Sequence, residues 1–242
     1  MTNNNKTLVG GSYNLLFGRP LDVVKGEVER LIKKHDLDFL AVQEGQDYER
    51  MLGTVKGFNY FTEPGRGANE NGVLVRDGLT ADKFKSKFYG DGWTTINGDH
   101  HVAAVQNEVR IDGWLKVRGL HLPTPSSWKD GRISPETPAE RKDDLIASMK
   151  GLRYYLSWPS TKVARIAVGD WNEAPTTSGE YSPKWLETTT KSASYTPTSR
   201  AGHGHIDWVM AKGCRITNIF KDLDIREYSD HEPVIFTVRK QG

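Results

Sequence analysis

Only one cysteine, Cys214, occurs in the 242 residues, so no intramolecular disulfide can form and a cysteine-built zinc site has no ligand set. No apolar run approaches the length of a membrane span, and no apolar signal core follows Met1-Thr2-Asn3-Asn4-Asn5-Lys6. The expectation is a soluble, cytoplasmic protein without a membrane partner. Charge of one sign is scarce as well. The 33 Lys and Arg nearly balance 31 Asp and Glu, leaving a net +2 and a pI near 8.5. That balance permits an anionic partner without arguing for one. Repeats, low-complexity tracts and linkers are also missing, so residues 1–242 read as one domain with its core over 8–238.

What the chain does contain is a hydrophobic content of 36% and seven tryptophans, enough for a sizeable core. Apolar runs at Leu8–Leu16, Asp38–Glu44, Phe58–Phe61, Val73–Val75, Val102–Ile111, Trp114–Leu122, Val163–Val168, His205–Met210 and Val234–Val238 read as strands. Asp112-Gly113 joins two of them as a hairpin turn. Leu21, Val24, Val28, Leu31 and Ile32 fall at helical spacing behind Pro20. A short helix is expected over Tyr48–Val55 and another near Trp185. Thr137-Pro138-Ala139-Glu140 is a capping box opening a helix that carries Leu145, Met149, Leu152 and Leu156. Strands predominate and strict strand–helix alternation is lacking. The expected class is therefore α/β, with two packed mixed sheets flanked by helices.

Polar groups gather where these runs end: Asn14, Glu44, His121, Asp170 with Asn172, Asp207, and Asp230 with His231. Each has a bland reading in isolation. Glu44 could cap a helix, Asp170 and Asn172 suit a turn, and a lone Ser-Asp-His is a common tripeptide. As a set they suit phosphodiester hydrolysis. A hard cation such as Mg²⁺ takes carboxylate oxygens and keeps several waters. A histidine with a carboxylate partner makes a competent base, and asparagine orients a phosphoryl oxygen or water without adding charge. Asp207 inside a strand needs a partner if buried, and His231 would supply one. The His100-His101 and His203/His205 pairs lack a third ligand at zinc spacing.

Tyr13-Asn14, Val42-Gln43-Glu44, Gly119-Leu120-His121-Leu122, Gly169-Asp170-Trp171-Asn172, Ile206-Asp207-Trp208 and Ser229-Asp230-His231-Glu232-Pro233-Val234 follow one another along the chain. In order and spacing this resembles the endonuclease/exonuclease/phosphatase superfamily, the fold of deoxyribonuclease I. The resemblance implies a four-layer α/β sandwich and a metal-dependent phosphoric-ester hydrolase. It makes Glu44 the principal metal ligand, with Asp230 and Asn14 completing the metal environment. Asp170 and Asn172 then position the attacking water and the phosphate. His231, oriented by Asp207, acts as base or stabilises the phosphorane, and His121 donates to a phosphate oxygen or acts as general acid. The proton acceptor is left open between Asp170 and His231. Mg²⁺ is the expected cofactor, with Mn²⁺ and Ca²⁺ as alternatives. A looser match sets Glu70 beside His121.

His121, in place of the tyrosine motif of apurinic endonucleases, points to the nuclease, sphingomyelinase or phosphatase branches. No apolar hairpin for lipid insertion and no dense basic pocket for inositol phosphates is evident. The favoured substrate is therefore nucleic acid, DNA first, cut by a monomeric endonuclease. A phosphatase or phospholipase of the same superfamily is the alternative, followed by a non-catalytic binding member.

Overall fold

Extended runs buried along their whole length, such as Phe39–Gln43 and Ala164–Asp170, dominate this chain, and two large sheets result. The computed structural model describes residues 6–63, 70–88, 94–96, 99–101, 105–122, 128–129, 132–133, 139–157, 163–171, 207–225 and 229–241. In chain order the elements begin with β1 (Thr7–Asn14), α1 (Leu21–His35), β2 (Phe39–Gln43), α2 (Glu49–Leu52), β3 (Phe58–Phe61), β4 (Gly72–Arg76) and β5 (Ala81–Phe88). A small hairpin of β6 (Thr94–Ile96) and β7 (Asp99–His101) precedes β8 (Val105–Ile111) and β9 (Leu115–His121). A second, of β10 (Trp128–Lys129) and β11 (Arg132–Ile133), precedes α3 (Ala139–Ser157). The chain then runs through β12 (Ala164–Asp170), β13 (Asp207–Lys212), β14 (Cys214–Lys221) and β15 (Val234–Lys240).

Six strands form the first sheet in the order β14-β15-β1-β2-β4-β3, and five form the second in the order β13-β12-β9-β8-β5. Each sheet is mixed. β1 pairs parallel with β2, and β12 parallel with β9, while the remaining pairs within these sheets are antiparallel. Between the sheets lies one apolar layer that includes Phe39, Val73, Val109, Val117, Ile166, Val168, Val209 and Phe236. Val24, Val28 and Leu31 of α1 and Leu52 of α2 bury the other face of the first sheet through Leu40, Val42 and Ile235. Met149, Leu152 and Leu156 of α3 cover the outer face of the second through Leu120, Ala167, Trp208 and Met210. Helix, sheet, sheet and helix make the four layers.

α1 starts at Pro20, whose fixed φ suits helix entry, and stops at Asp36 in a left-handed conformation (φ 51), its N–H donating to Ile32 O. Asp112 and Gly113 both take positive φ, the geometry of the tight turn joining β8 and β9. Two strands lack the pattern that sequence reading looks for. β5 alternates Lys85 and Lys87 with half-buried side chains at an edge, which reads as polar loop. β14 carries an irregularity between Thr217 and Phe220 that breaks its period-two pattern. α2 is shorter than the expected Tyr48–Val55, ending at Gly53. Residues 102–104, the capping residues Thr137 and Pro138, and the expected helix near Trp185 lie outside the described residues.

Candidate active site

Register brings most of the candidate groups together. On the second sheet Asp170 pairs with His121 on one neighbour and with Asp207 on the other, so the three share a rung. Gly169 makes that rung possible. Its φ is +144, and a Cβ there would stand 1.9 Å from Leu120 O. No side chain fits while β12 stays hydrogen-bonded to β9. On the first sheet Asn14 closes β1 opposite Gln43, and Glu44 follows in a left-handed conformation (φ 56). That conformation costs a non-glycine residue about 1–2 kcal/mol, and the carboxylate it aims is tied down on both oxygens. Glu44 Oε1 accepts from Asn14 Nδ2 at 2.9 Å, and Oε2 accepts from the Phe17 backbone N–H at 3.0 Å.

Asn14 links the sheets. Its Nδ2 also donates to Asp170 Oδ2 at 3.2 Å, so one amide bridges carboxylates that stand 126 positions apart in the chain, at 44 and 170. Asp170 is 2% exposed, and the same Oδ2 lies 3.6 Å from His121 Nε2 and 3.5 Å from His231 Nε2. Behind each imidazole stands another acid. His121 Nδ1 donates to Glu70 Oε1 at 2.9 Å and His231 Nδ1 to Asp207 Oδ2 at 2.8 Å. Two acid–histidine pairs thus face each other across one carboxylate oxygen. Asp230 is the outlier: it is exposed, with Oδ1 3.9 Å from His231 Nε2. Asn172 lies outside the described residues, as do His203, His205 and Arg66.

Burial alone would strip these imidazoles of charge, but their acids outweigh it. For His231 the charge and hydrogen bond of Asp207, then Asp170 and Asp230, raise the pKa to about 10. For His121 burial is likewise overcome, by Glu70 first and then by Asp170 and Glu44, to about 10. With Nδ1 occupied in each ring, Nε2–H is the group left facing the site. Two converging Nε2–H donors can bind a phosphoryl oxygen beside Asp170.

The donor set also suits a hard divalent cation. Asp170, Asp207 and His231 offer ligand atoms within 4.8 Å of one another, and this buried group could hold a metal ion. Asp207 Oδ2 already accepts the His231 Nδ1–H at 2.8 Å, so a cation there would share this carboxylate with the imidazole. Glu44 and Asp170, two carboxylates drawn to one amide nitrogen, are a second pair of oxygen donors of the kind such a cation takes.

Three contributions were not assigned from sequence. Ser229 Oγ donates to the Asn14 carbonyl at 2.8 Å and accepts the His231 N–H at 3.1 Å, tying the histidine loop to β1. Its only signal was its place in the Ser-Asp-His triplet. Arg19, Glu27 and Tyr13 form a buried network under the loop after Asn14, with Arg19 Nη2 2.7 Å from Glu27 Oε2 and Tyr13 Oη donating to the same oxygen at 3.0 Å. Tyr48 Oη receives the Arg19 N–H and donates to Leu16 O in that loop.

A family model described as Endonuclease/Exonuclease/phosphatase family matches residues 11–231. No curated protein matches the chain in sequence. Among solved structures, an endonuclease/exonuclease/phosphatase from Bacteroides vulgatus superposes with a TM-score of 0.65 at 13% identity, covering 98% of this chain and 100% of its own. The human nocturnin catalytic domain, solved with a bound sulfate anion, gives 0.60 at 13%, covering 96% and 94%. The endonuclease domain of TRAS1, a telomere-specific non-LTR retrotransposon, gives 0.57 at 15%, covering 98% and 100%. At these identities the structural likeness is one of fold.

Proposed function

The chain belongs to the endonuclease/exonuclease/phosphatase family, and from that premise we propose that it is a divalent-metal-dependent phosphodiesterase that cuts nucleic acid, acting as a single domain. The observation that supports this reading best is the pair of acid-backed histidines converging on Asp170 Oδ2. Glu44 would hold the cation, with Asn14 and Asp230 completing its surroundings. When bound, the cation supplies positive charge to a phosphoryl oxygen. Asp170 accepts the proton of the attacking water, and Asn172 beside it orients water and phosphate. His231 donates Nε2–H to a nonbridging oxygen, where negative charge grows in the transition state, while Asp207 holds its ring and its charge. His121, held by Glu70, protonates the leaving oxygen or stabilises it.

Asp170 is preferred to His231 as proton acceptor because burial of His231 is outweighed by Asp207, Asp170 and Asp230, which raise its pKa and favour its protonated form. Nucleic acid is preferred because the retrotransposon structure of the same fold is an endonuclease domain, and a phosphate-directed site suits a substrate with many phosphates.

Incubation with supercoiled plasmid tests the reading. Nicking in Mg²⁺, abolished by EDTA and by Asp170→Ala, is expected. Nicking that survives both removes the mechanism. A panel of single-stranded DNA, RNA, sphingomyelin and inositol phosphates tests the substrate class, and faster turnover of a lipid or inositol phosphate would replace the nuclease assignment.

A further inference from the structure

Between Asn14 and α1 a dense set of hydrogen bonds fixes the backbone that carries one exposed aromatic ring. Phe17 is 59% exposed and Leu21, four residues on, 53%; they are two of the five large hydrophobics exposed among the described residues. Scattered exposed hydrophobics are ordinary, but Phe17 is not on a slack loop. Leu16 before it adopts a left-handed φ of 55, unfavourable for a leucine. The Phe17 N–H is fixed on Glu44 Oε2, and Gly18 N–H donates to Asp47 Oδ2 at 3.3 Å. Arg19 Nη1 donates to Leu15 O at 2.9 Å, its N–H to Tyr48 Oη at 2.8 Å, and Tyr48 Oη to Leu16 O at 2.7 Å. Beneath them the Arg19–Glu27 ion pair is buried, with side chains 7% and 0% exposed. Burying an ion pair gains little net stability, so its effect here is to define geometry.

The place of the residue follows from that bracing. The amide of Phe17 touches the carboxylate that would hold the cation, so the residue and its exposed side chain stand at the rim of the same site. Nothing in a phosphate-directed site by itself reads the rest of the substrate, because phosphate contacts position but do not discriminate. An exposed aromatic face on a hydrogen-bonded backbone beside the phosphate supplies what is missing, since any nucleobase can stack on it irrespective of its sequence. We propose that Phe17, with Leu21 beside it, is the substrate-recognition ledge of this site, stacking a nucleobase adjacent to the scissile phosphate. This rests on the nuclease reading above. It adds that bases, and not phosphates alone, contribute to binding, with a preference for strands whose bases can be unstacked.

The test separates the two claims. Binding is measured with the Asp170→Asn protein, so that turnover does not enter, using fluorescent oligothymidylate and the same oligomer with every base replaced by an abasic tetrahydrofuran unit. The base-bearing oligomer is expected to bind at least tenfold tighter, about 1.4 kcal/mol, at the low end of base–aromatic stacking. Adding Phe17→Ala is expected to erase that preference, and Phe17→Trp to restore it. The exposed position makes loss of folding an improbable confounder, and thermal melting of each variant checks it. An unchanged preference in Phe17→Ala overturns the ledge while leaving plasmid nicking, and hence the nuclease reading, intact. Absence of any oligomer binding overturns both. Sedimentation with sphingomyelin–phosphatidylcholine vesicles that depends on Phe17, with oligomer binding unaffected by it, overturns the ledge in favour of a lipid surface.

Discussion

Replacing Asp207 with asparagine isolates the electrostatics of the site. The asparagine oxygen can still accept from His231 Nδ1, so shape and hydrogen bond survive and only the charge 2.8 Å from the ring is lost. In the metal-free protein the His231 pKa stands at about 10 against an ordinary 6.5. A histidine with a raised folded value stabilises the fold fully below the unfolded value, and that contribution is lost as pH rises through the folded one. Linkage between those values gives about 4 kcal/mol at pH 7. With Asp170 and Asp230 still in place but burial still opposing the charge, Asp207→Asn should remove about 3 kcal/mol of it, the low end of the cost of breaking a buried pair. The assay is urea denaturation of EDTA-treated protein between pH 6 and 10.5. The gap between parent and variant should be widest near pH 6 and close toward pH 10. The His121–Glu70 pair and the other groups titrating there are common to both proteins and cancel. A gap that stays constant across the range, or a His231 ring resonance in the variant still titrating near 10, would refute the reasoning. Turnover should also fall by about 10²-fold or more, because the ring keeps its orientation but loses the charge that holds its proton.

Gly169→Ala places a methyl 1.9 Å from Leu120 O at a φ of +144; it should destabilise by about 3 kcal/mol or more and lower activity with it, through separation of Asp170 from His121. Thermal melting and plasmid nicking measured on the same preparation would check both. Asp222, buried behind α1, is pushed up by burial but held below its ordinary 3.8 by the hydrogen bonds of His35 and Lys34. Its stabilisation is present above 3.8 and lost as pH falls through the depressed folded value. The stability gap between the parent and Asp222→Asn should therefore be full at pH 6 and shrink below pH 3.8, and a gap that grows on acidification would contradict the assignment.

Much of the site was legible because its chemistry is confined to strand ends. A carboxylate, amide or imidazole that closes an apolar run is conspicuous in one dimension, and Asn14, Glu44, His121, Asp170, Asp207 and His231 all declare themselves in that way. The two-sheet architecture was legible for a related reason, since strand-length apolar runs outnumber helical patterns. Glu70 was harder. It lies outside any strand, and only a loose family resemblance placed it near His121, which the 2.9 Å hydrogen bond now does directly. Strand β5 escaped notice because its exposed lysines suit an edge, and β14 because its irregularity disrupts the alternation on which strand reading relies.

What the sequence settled by itself was identity and order: which groups stand at strand ends, the family they spell out, and Gly169 as the neighbour of Asp170. What tertiary structure alone decided was mutual distance. Asn14 donates to Asp170 across 156 positions, Ser229 reaches the carbonyl of Asn14 across 215, and Asp207 and Glu70 each reach the Nδ1 of a histidine distant in the chain. Each of those contacts depends on the register between strands and on the facing of two sheets. Local propensity does not encode either one; both are set by the burial of the shared core, and pKa values, donor directions and the anchoring of the Phe17 backbone on Glu44 follow from them.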